Sequence, residues 1–289
     1  MAFADWSLKP QWRRYAAELA GTAILVFFGV GAVALDFAAS SPVPHLIPAA
    51  WLRRLLPGAL FGSAGALVAV SPLGRSSGAH LNPAISFAFW LQAKLGGSDL
   101  AGYVAAQCAG ALLGISALVS IFSLPLSQIN DGATLPDPRL PIWVAFLGEV
   151  GATWVLVAAI FFMLGHRRTM VYTPLAVVLT VAVLVCLEAP LSGTSMNPAR
   201  TFGPDLVRAS FGWLWLYCIA PLLGAGLAVL SFRLPGVRSR APLTAHLFHV
   251  EGVRSRFENL WDNRHETRLE RFWRALEAYW LSSQSADGQ

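Results

Sequence analysis

The predicted fold class is an all-α membrane protein: six transmembrane helices plus two re-entrant half-helices in an inverted three-plus-three repeat. Three observations predict it. Hydrophobic residues make up 55% of the 289-residue chain and charged residues only 13%, with mean hydropathy +0.55, far from the composition of a soluble domain. Six apolar runs approach the length needed to cross a hydrocarbon core of about 30 Å. Two stretches, His80-Leu81-Asn82-Pro83-Ala84 and Ser195-Met196-Asn197-Pro198-Ala199-Arg200, interrupt that apolar pattern, one in each half of the chain.

Taken in order, residues 1–14 form a short polar and aromatic segment without the pattern of a cleavable signal peptide. The six runs are Tyr15–Leu35, Leu55–Val70, Leu100–Phe122, Ile142–Leu164, Pro174–Leu187 and Trp213–Phe232. The second and fifth are short and need their polar ends to complete a crossing. Residues 36–54 carry three prolines and a tryptophan and do not look helical. Residues 124–141, with four prolines and Asp131-Gly132, read as an extended extracytoplasmic linker between two repeats, 15–123 and 142–233.

Beyond the last span, residues 234–289 form a polar tail. Within it, Asp262–Leu281 places Leu269, Phe272, Trp273, Leu276 and Trp280 on one helical face, the pattern of an amphipathic helix at a bilayer or protein surface. Basic residues orient the chain. Lys9, Arg13, Arg14, Arg75, Lys94, Arg167, Arg168, Arg233, Arg238 and Arg240 flank one side, against Arg53, Arg54, Arg139 and Arg208 on the other. The positive-inside rule therefore puts both termini in the cytoplasm, with Arg53 and Arg54 running against the bias. The same distribution explains the net charge of +5 without invoking nucleic acid.

The halves repeat. Glu18-Leu19-Ala20-Gly21-Thr22 corresponds to Glu149-Val150-Gly151-Ala152-Thr153, and Asn82 to Phe87 corresponds to Asn197 to Phe202. Tyr103, Gly110 and Ala111 correspond to Tyr217, Gly224 and Ala225. Each half holds three spans, an odd number, so the halves insert in opposite orientations. Asn is a favoured N-cap and Pro fits the first helical turn, so each Asn-Pro-Ala starts a short helix, Asn82 to about Gln92 and Asn197 to about Arg208. Inverted insertion brings these two starts together near the midplane. Irregular backbone at that depth survives only inside protein or along a water-filled cavity, which implies a pore or a binding site.

At these residues the chain resembles the major intrinsic proteins, the aquaporin and glycerol-channel family, over about Tyr15–Phe232. The resemblance rests on both Asn-Pro-Ala boxes, Ser77-Gly78-Ala79-His80, Arg200 with Phe202-Gly203-Pro204, the paired Glu and Thr positions, and Tyr103 with Gln107. It implies that the amides of Asn82 and Asn197 donate to permeant oxygens in a single-file pore, where two helix-dipole ends repel cations. Carbonyls of Gly78, Ala79, His80 and Leu81, and of Gly193, Thr194, Ser195 and Met196, would be the acceptor rungs.

By the same resemblance Arg200 belongs to the outer selectivity filter with Thr194 and Val185. A charge at membrane depth independently marks a cavity or pathway. Spacing to Asn82 brings Gly62 to the remaining filter position, whereas aligning the Phe-Gly pair brings Phe61 there. Val185 stands where water channels of the family usually carry His. Thr201 and Asp205 stand where its glycerol channels usually carry Asp and a basic residue.

Glu18 and Glu149 are intramembrane carboxylates, a proton path by default, but the resemblance favours bracing of the two re-entrant loops. Gln107 either braces the first loop or joins helices. His80 lines the pore in a fixed role or titrates as a gate. Glu188, at the end of the fifth run, is expected to be solvated.

The cysteines, Cys108, Cys186 and Cys218, lie inside apolar runs and read as small buried residues. His246, His249 and Glu251 lack a third well-spaced ligand, so no metal site is read, and no cofactor motif is present. Nor does any nucleophile–base constellation mark an enzyme. A coupled transporter would need an ion-binding centre where Asn amides and apolar residues stand. The expected function is a passive channel for water and small neutral solutes that excludes protons and ions. The alternative is a wider-pore facilitator for glycerol, urea or metalloid acids. The chain is expected to form a homotetramer in the bilayer of a cell membrane, a bacterial inner membrane.

Overall fold

The computed structural model describes residues 11–38, 41–233 and 242–248. The expected amphipathic helix at Asp262–Leu281 lies outside the described residues. Within them the protein is all-helical. Helix α1 (Trp12–Phe37) is followed by two single turns, α2 (Val43–Leu46) and α3 (Ala50–Arg53). These turns lie in the proline-rich stretch expected to be irregular. Their prolines sit before or within the first turn, where a missing N–H costs nothing, and so begin helix instead of preventing it.

Helix α4 (Leu55–Val70) has 16 residues and spans roughly 24 Å at 1.5 Å per residue, short of a full crossing. Ser71 ends it and caps the short helix α5 (Pro72–Ser77), its hydroxyl accepting from the Leu73 N–H at 3.2 Å. The first half-helix is α6 (Pro83–Leu91). Helix α7 (Gly97–Ser127) breaks at Phe122 (φ −128°, ψ 44°), so its last turn belongs to the linker. A 3₁₀ turn follows at Asn130–Gly132, and the linker is therefore only partly extended. Short-range turns satisfy backbone groups that a fully extended segment would leave open.

The second half comprises α8 (Ile142–Leu164), α9 (Thr173–Ser192), the half-helix α10 (Pro198–Val207) and α11 (Leu214–Ser231). Helix α9 outruns its expected end, continuing past Glu188 and Pro190 to stop at Gly193, whose φ of +80° is the left-handed cap only glycine adopts freely. Among the described residues five helices, all the spans but α4, are individually long and apolar enough to cross a membrane. Leu67, Trp143, Leu147, Leu179 and Leu187 point outward and are exposed, a belt suited to lipid.

Packing follows the repeat. Helix α1 runs along α7 as α8 runs along α11, and α4 meets α9 at the seam. Each half-helix docks on the opposite half, α6 on α11 and α10 on α7. Close approach depends on small residues: a Cβ on Gly110 would lie 2.2 Å from the Leu19 carbonyl, and one on Gly224 would lie 2.3 Å from the Val150 carbonyl.

One face of the bundle gathers the starts of α1 and α7, where Tyr15 donates to Asp99 at 2.8 Å. The opposite face carries the linker. There Arg53 Nε donates to buried Asp36 at 2.9 Å and its Nη1 donates to the Ile47 carbonyl at 3.2 Å. Arg53 therefore sits against the charge bias because it neutralises a carboxylate at the end of α1.

Candidate functional site

The re-entrant loops ahead of α6 and α10 have matching backbones. Gly78, Ala79 and Leu81 take φ of +96°, +55° and +52°, and Gly193, Thr194 and Met196 take +80°, +51° and +52°. Left-handed conformations outside glycine cost on the order of 1–3 kcal/mol each and persist only where surroundings over-determine them. Buried carboxylates supply that determination. Glu18 accepts from the N–H groups of His80 (3.0 Å) and Leu81 (2.7 Å) and from Gln107 Nε2 (2.8 Å). Glu149 accepts from the N–H groups of Ser195 (2.6 Å) and Met196 (2.8 Å) and from Ser192 Oγ (2.7 Å).

Further pairs complete the frame. Ser77 and Ser192 hydroxyls accept from the Ala79 and Thr194 N–H groups, each at 3.1 Å. Tyr103 and Tyr217 hydroxyls donate to the carbonyls of Ser77 (2.6 Å) and Ser192 (2.5 Å). Ser77 stands in the stretch ahead of the first box, but Ser192 carries no motif; it lies 115 residues after Ser77, the same offset as Asn82 and Asn197, and that offset is the signal that points to it.

At the junction each Asn caps its own half-helix. Asn82 Oδ1 accepts from the Ala84 N–H at 2.8 Å, and Asn197 Oδ1 accepts from the Ala199 N–H at 3.0 Å and Arg200 N–H at 3.3 Å. The amide nitrogens reach across. Asn82 Nδ2 donates to the Met196 carbonyl (2.8 Å) and Asn197 Nδ2 to the Leu81 carbonyl (2.9 Å). An amide has two N–H donors, so one on each Asn is left over. Both residues line a cavity of about 110 Å³.

The same cavity collects Ala79, His80, Leu81, Gly193, Ser195 and Met196 from the loops, and Phe61, Gly62, Val185, Thr194 and Arg200 from the expected filter. Gly78 is not in the wall. Pro83, Ala84, Pro198 and Ala199 are buried in the first turns of their half-helices.

Phe61 and Gly62 both touch the cavity but do different things. The Arg200 guanidinium lies 5.4 Å from the centre of the Phe61 ring, a cation–π distance. A Cβ on Gly62 would fall 2.7 Å from Val178 Cα, so Gly62 is small because α9 presses against it. Arg200 is buried and donates through Nη1 to the Gly132 carbonyl at 2.6 Å. The linker thus reaches the cavity wall, which no sequence signal indicated. It also meets α10 through Thr134 and Thr201, whose hydroxyls are 2.7 Å apart.

Glu188 is buried, not solvated. It faces inward beside Ser192 and Thr194 because α9 continues one turn beyond its expected end, and neither oxygen meets a donor in hydrogen-bonding geometry among the described residues.

His80 stacks on Phe89 at 4.6 Å and is held at both ring nitrogens, by Ser86 Oγ (3.1 Å) and the Ala245 carbonyl (2.9 Å). A carbonyl only accepts, so Nε2 carries the proton. In the neutral ring Nδ1 then accepts from Ser86, whose oxygen in turn accepts from Gln107 at 3.0 Å. Gln107 thus donates both to the Glu18 carboxylate and to Ser86 of the half-helix.

The sequence profile of the family described as "Major intrinsic protein" matches residues 5–232. The chain belongs to that family. Among its relatives is aquaporin AqpM of Methanothermobacter marburgensis, 35% identical over 237 residues, covering 76% of this chain and 96% of that protein. The glycerol uptake facilitator protein of Pseudomonas aeruginosa is 32% identical over 251 residues, 75% of this chain and 86% of that protein. The crystal structure of the aquaglyceroporin from Plasmodium falciparum shares the fold, with a TM-score of 0.64 at 20% identity over 77% of this chain and 95% of that one. The matched span ends with α11, and residues 242–248 lie beyond it.

Proposed function

We propose that this protein is a passive channel for water and small neutral solutes whose permeation path is the cavity between the two half-helix starts. The observation that carries it is the crossed pair of Asn82 and Asn197. Each amide is fixed by its own cap and by the other loop's carbonyl, and each has a donor to spare for a passing oxygen. Two positive helix ends facing one point disfavour cations, and oxygens held as acceptors at that point cannot relay a proton. Relatives named aquaporin and glycerol uptake facilitator support the class of permeant.

In this proposal Phe61, Val185, Thr194 and Arg200 are the selectivity filter, and Glu18, Glu149 and Gln107 are loop braces. Phe61 narrows the filter toward water, and Val185 offers a hydroxylated solute no hydrogen bond. The wider-pore alternative for glycerol, urea or metalloid acids is therefore secondary. The face gathering the starts of α1 and α7 is cytoplasmic, the membrane is a bacterial inner membrane, and the outward apolar belt is partly covered by neighbours in a homotetramer. Crosslinking in native membranes tests the tetramer.

Stopped-flow light scattering on proteoliposomes, with a sucrose and then a glycerol gradient, tests the function. The expected result is excess water permeability with no sodium or proton dependence, and slower glycerol entry. Rates equal to those of empty liposomes, for the intact chain and for the Leu247→Ala and Leu247→Pro variants alike, would refute it. Leu247 is, among the described residues, the cavity-lining side chain from beyond α11.

A further inference from the structure

Residues 242–248 return from beyond α11 to the cavity. Their attachments are made by backbone. The Leu243 N–H donates to the carbonyl of Leu164, the last residue of α8, at 3.1 Å. The Ala245 carbonyl accepts from His80 Nε2 at 2.9 Å. The Leu247 N–H donates to the Gly78 carbonyl at 3.0 Å. Between them, the His246 N–H donates to Thr244 Oγ1 at 3.1 Å and fixes a local turn. Thr244, Ala245, His246 and Leu247 are all buried. The fit depends on Gly78, since a Cβ there would lie 2.4 Å from the Ala245 oxygen.

We propose that residues 242–248 are an autoinhibitory strap that closes the mouth of the channel on the face where α1 and α7 start, and that full conduction requires it to withdraw. Two features distinguish a plug from a floor. Leu247 is itself part of the cavity wall, where every other wall residue among those described lies between Leu25 and Arg200. The strap also occupies polar groups that an incoming solute would use first, the Gly78 carbonyl and the His80 ring N–H. An entering water thus meets a leucine side chain and saturated hydrogen-bonding partners, a dry mouth where a wet one is needed. The strap lies outside the span matched by the family profile.

The proposal rests on the cavity being the permeation path, and one experiment separates the two. Osmotic water permeability per channel is measured in proteoliposomes for the full-length protein and for full-length Leu247→Ala and Leu247→Pro. The first substitution shrinks the plug; the second removes the N–H that holds it to Gly78. A rise of about threefold or more in either variant is expected, including the case in which the intact chain is silent and a variant conducts. If the intact chain conducts and neither variant exceeds it, the strap is only a brace and the proposal is overturned while the channel stands. If none of the three exceeds empty liposomes, the permeation path is wrong and the strap's role falls with it.

Discussion

Replacing Glu149 with Ala tests whether the second re-entrant loop holds its shape only because a carboxylate grips it. The wild-type carboxylate accepts three hydrogen bonds, two of them from the backbone N–H groups of Ser195 and Met196. Removing it leaves those two buried donors unsatisfied, at about 1–3 kcal/mol each, or about 2–6 kcal/mol together. The same loop carries Thr194 and Met196 at φ of +51° and +52°, a strain of comparable size that the carboxylate offsets together with the Ser192 hydroxyl and the Asn82 amide. Even the low end, about 2 kcal/mol, shifts a loop equilibrium roughly 30-fold.

Because Met196 and Thr194 border the cavity and the Met196 carbonyl receives Asn82, the relaxed loop should spoil the junction as well as the filter. Per-channel water permeability by stopped flow should fall at least tenfold, and thermal unfolding in detergent should move to lower temperature. Glu149→Gln keeps an acceptor for Ser192 and Ser195 but turns an NH₂ toward the Met196 N–H, so it should fall between. Wild-type permeability and unfolding temperature in Glu149→Ala would refute the brace. Glu18→Ala should behave alike, since its carboxylate also holds two loop N–H groups.

Three further outcomes are expected. Arg200→Val should raise glycerol permeability several-fold relative to water in stopped flow, while orphaning the Gly132 carbonyl at a cost of about 1–3 kcal/mol. An unchanged ratio would place the constriction elsewhere. Phe61→Ala should widen the solute range, whereas Gly62→Ala should lower the unfolding temperature by forcing α4 from α9, a contrast that solute-uptake and melting assays read separately. Arg53→Ala should destabilise by about 3 kcal/mol by leaving Asp36 buried and unpaired, and adding Asp36→Asn should restore much of the loss; additive melting shifts would rule out the pairing.

The spans, the half-helices and the meeting of their starts were legible because each depends on one-dimensional signals. Apolar length marks a crossing, Asn-Pro marks a helix start, and an odd number of spans in a repeat dictates inversion. What was illegible depends on where helices stop and on contacts between distant segments. Glu188 reads as solvated when α9 ends at Leu187 and as buried when it ends at Ser192. The prolines of residues 36–54 read as irregular because proline is allowed both in loops and at helix starts. Gly132 and Leu247 carry no signal at all, since what places them is one backbone carbonyl and one backbone N–H. Phe61 and Gly62 are one residue apart in spacing and both line the cavity; packing alone separates them, since α9 presses against Gly62 while the Phe61 ring lies beside Arg200.

The repeat explains why neither half could form the site alone. Each Asn caps its own half-helix but gives its outward donor to the other half's loop, and each half-helix packs on the other half's last span. The symmetric positions, Glu18 with Glu149, Ser77 with Ser192 and Tyr103 with Tyr217, are the ones that hold backbone. The Asn pair apart, several cavity-facing positions differ between the halves. Ile85 stands where the second half has Arg200, Ala79 where it has Thr194, and His80 where it has Ser195. A symmetric frame fixes two equivalent approaches to one junction, and these three exchanges make the approaches chemically different. The linker face receives a guanidinium beside an aromatic ring, and the opposite face receives a histidine already bonded to the chain's own tail.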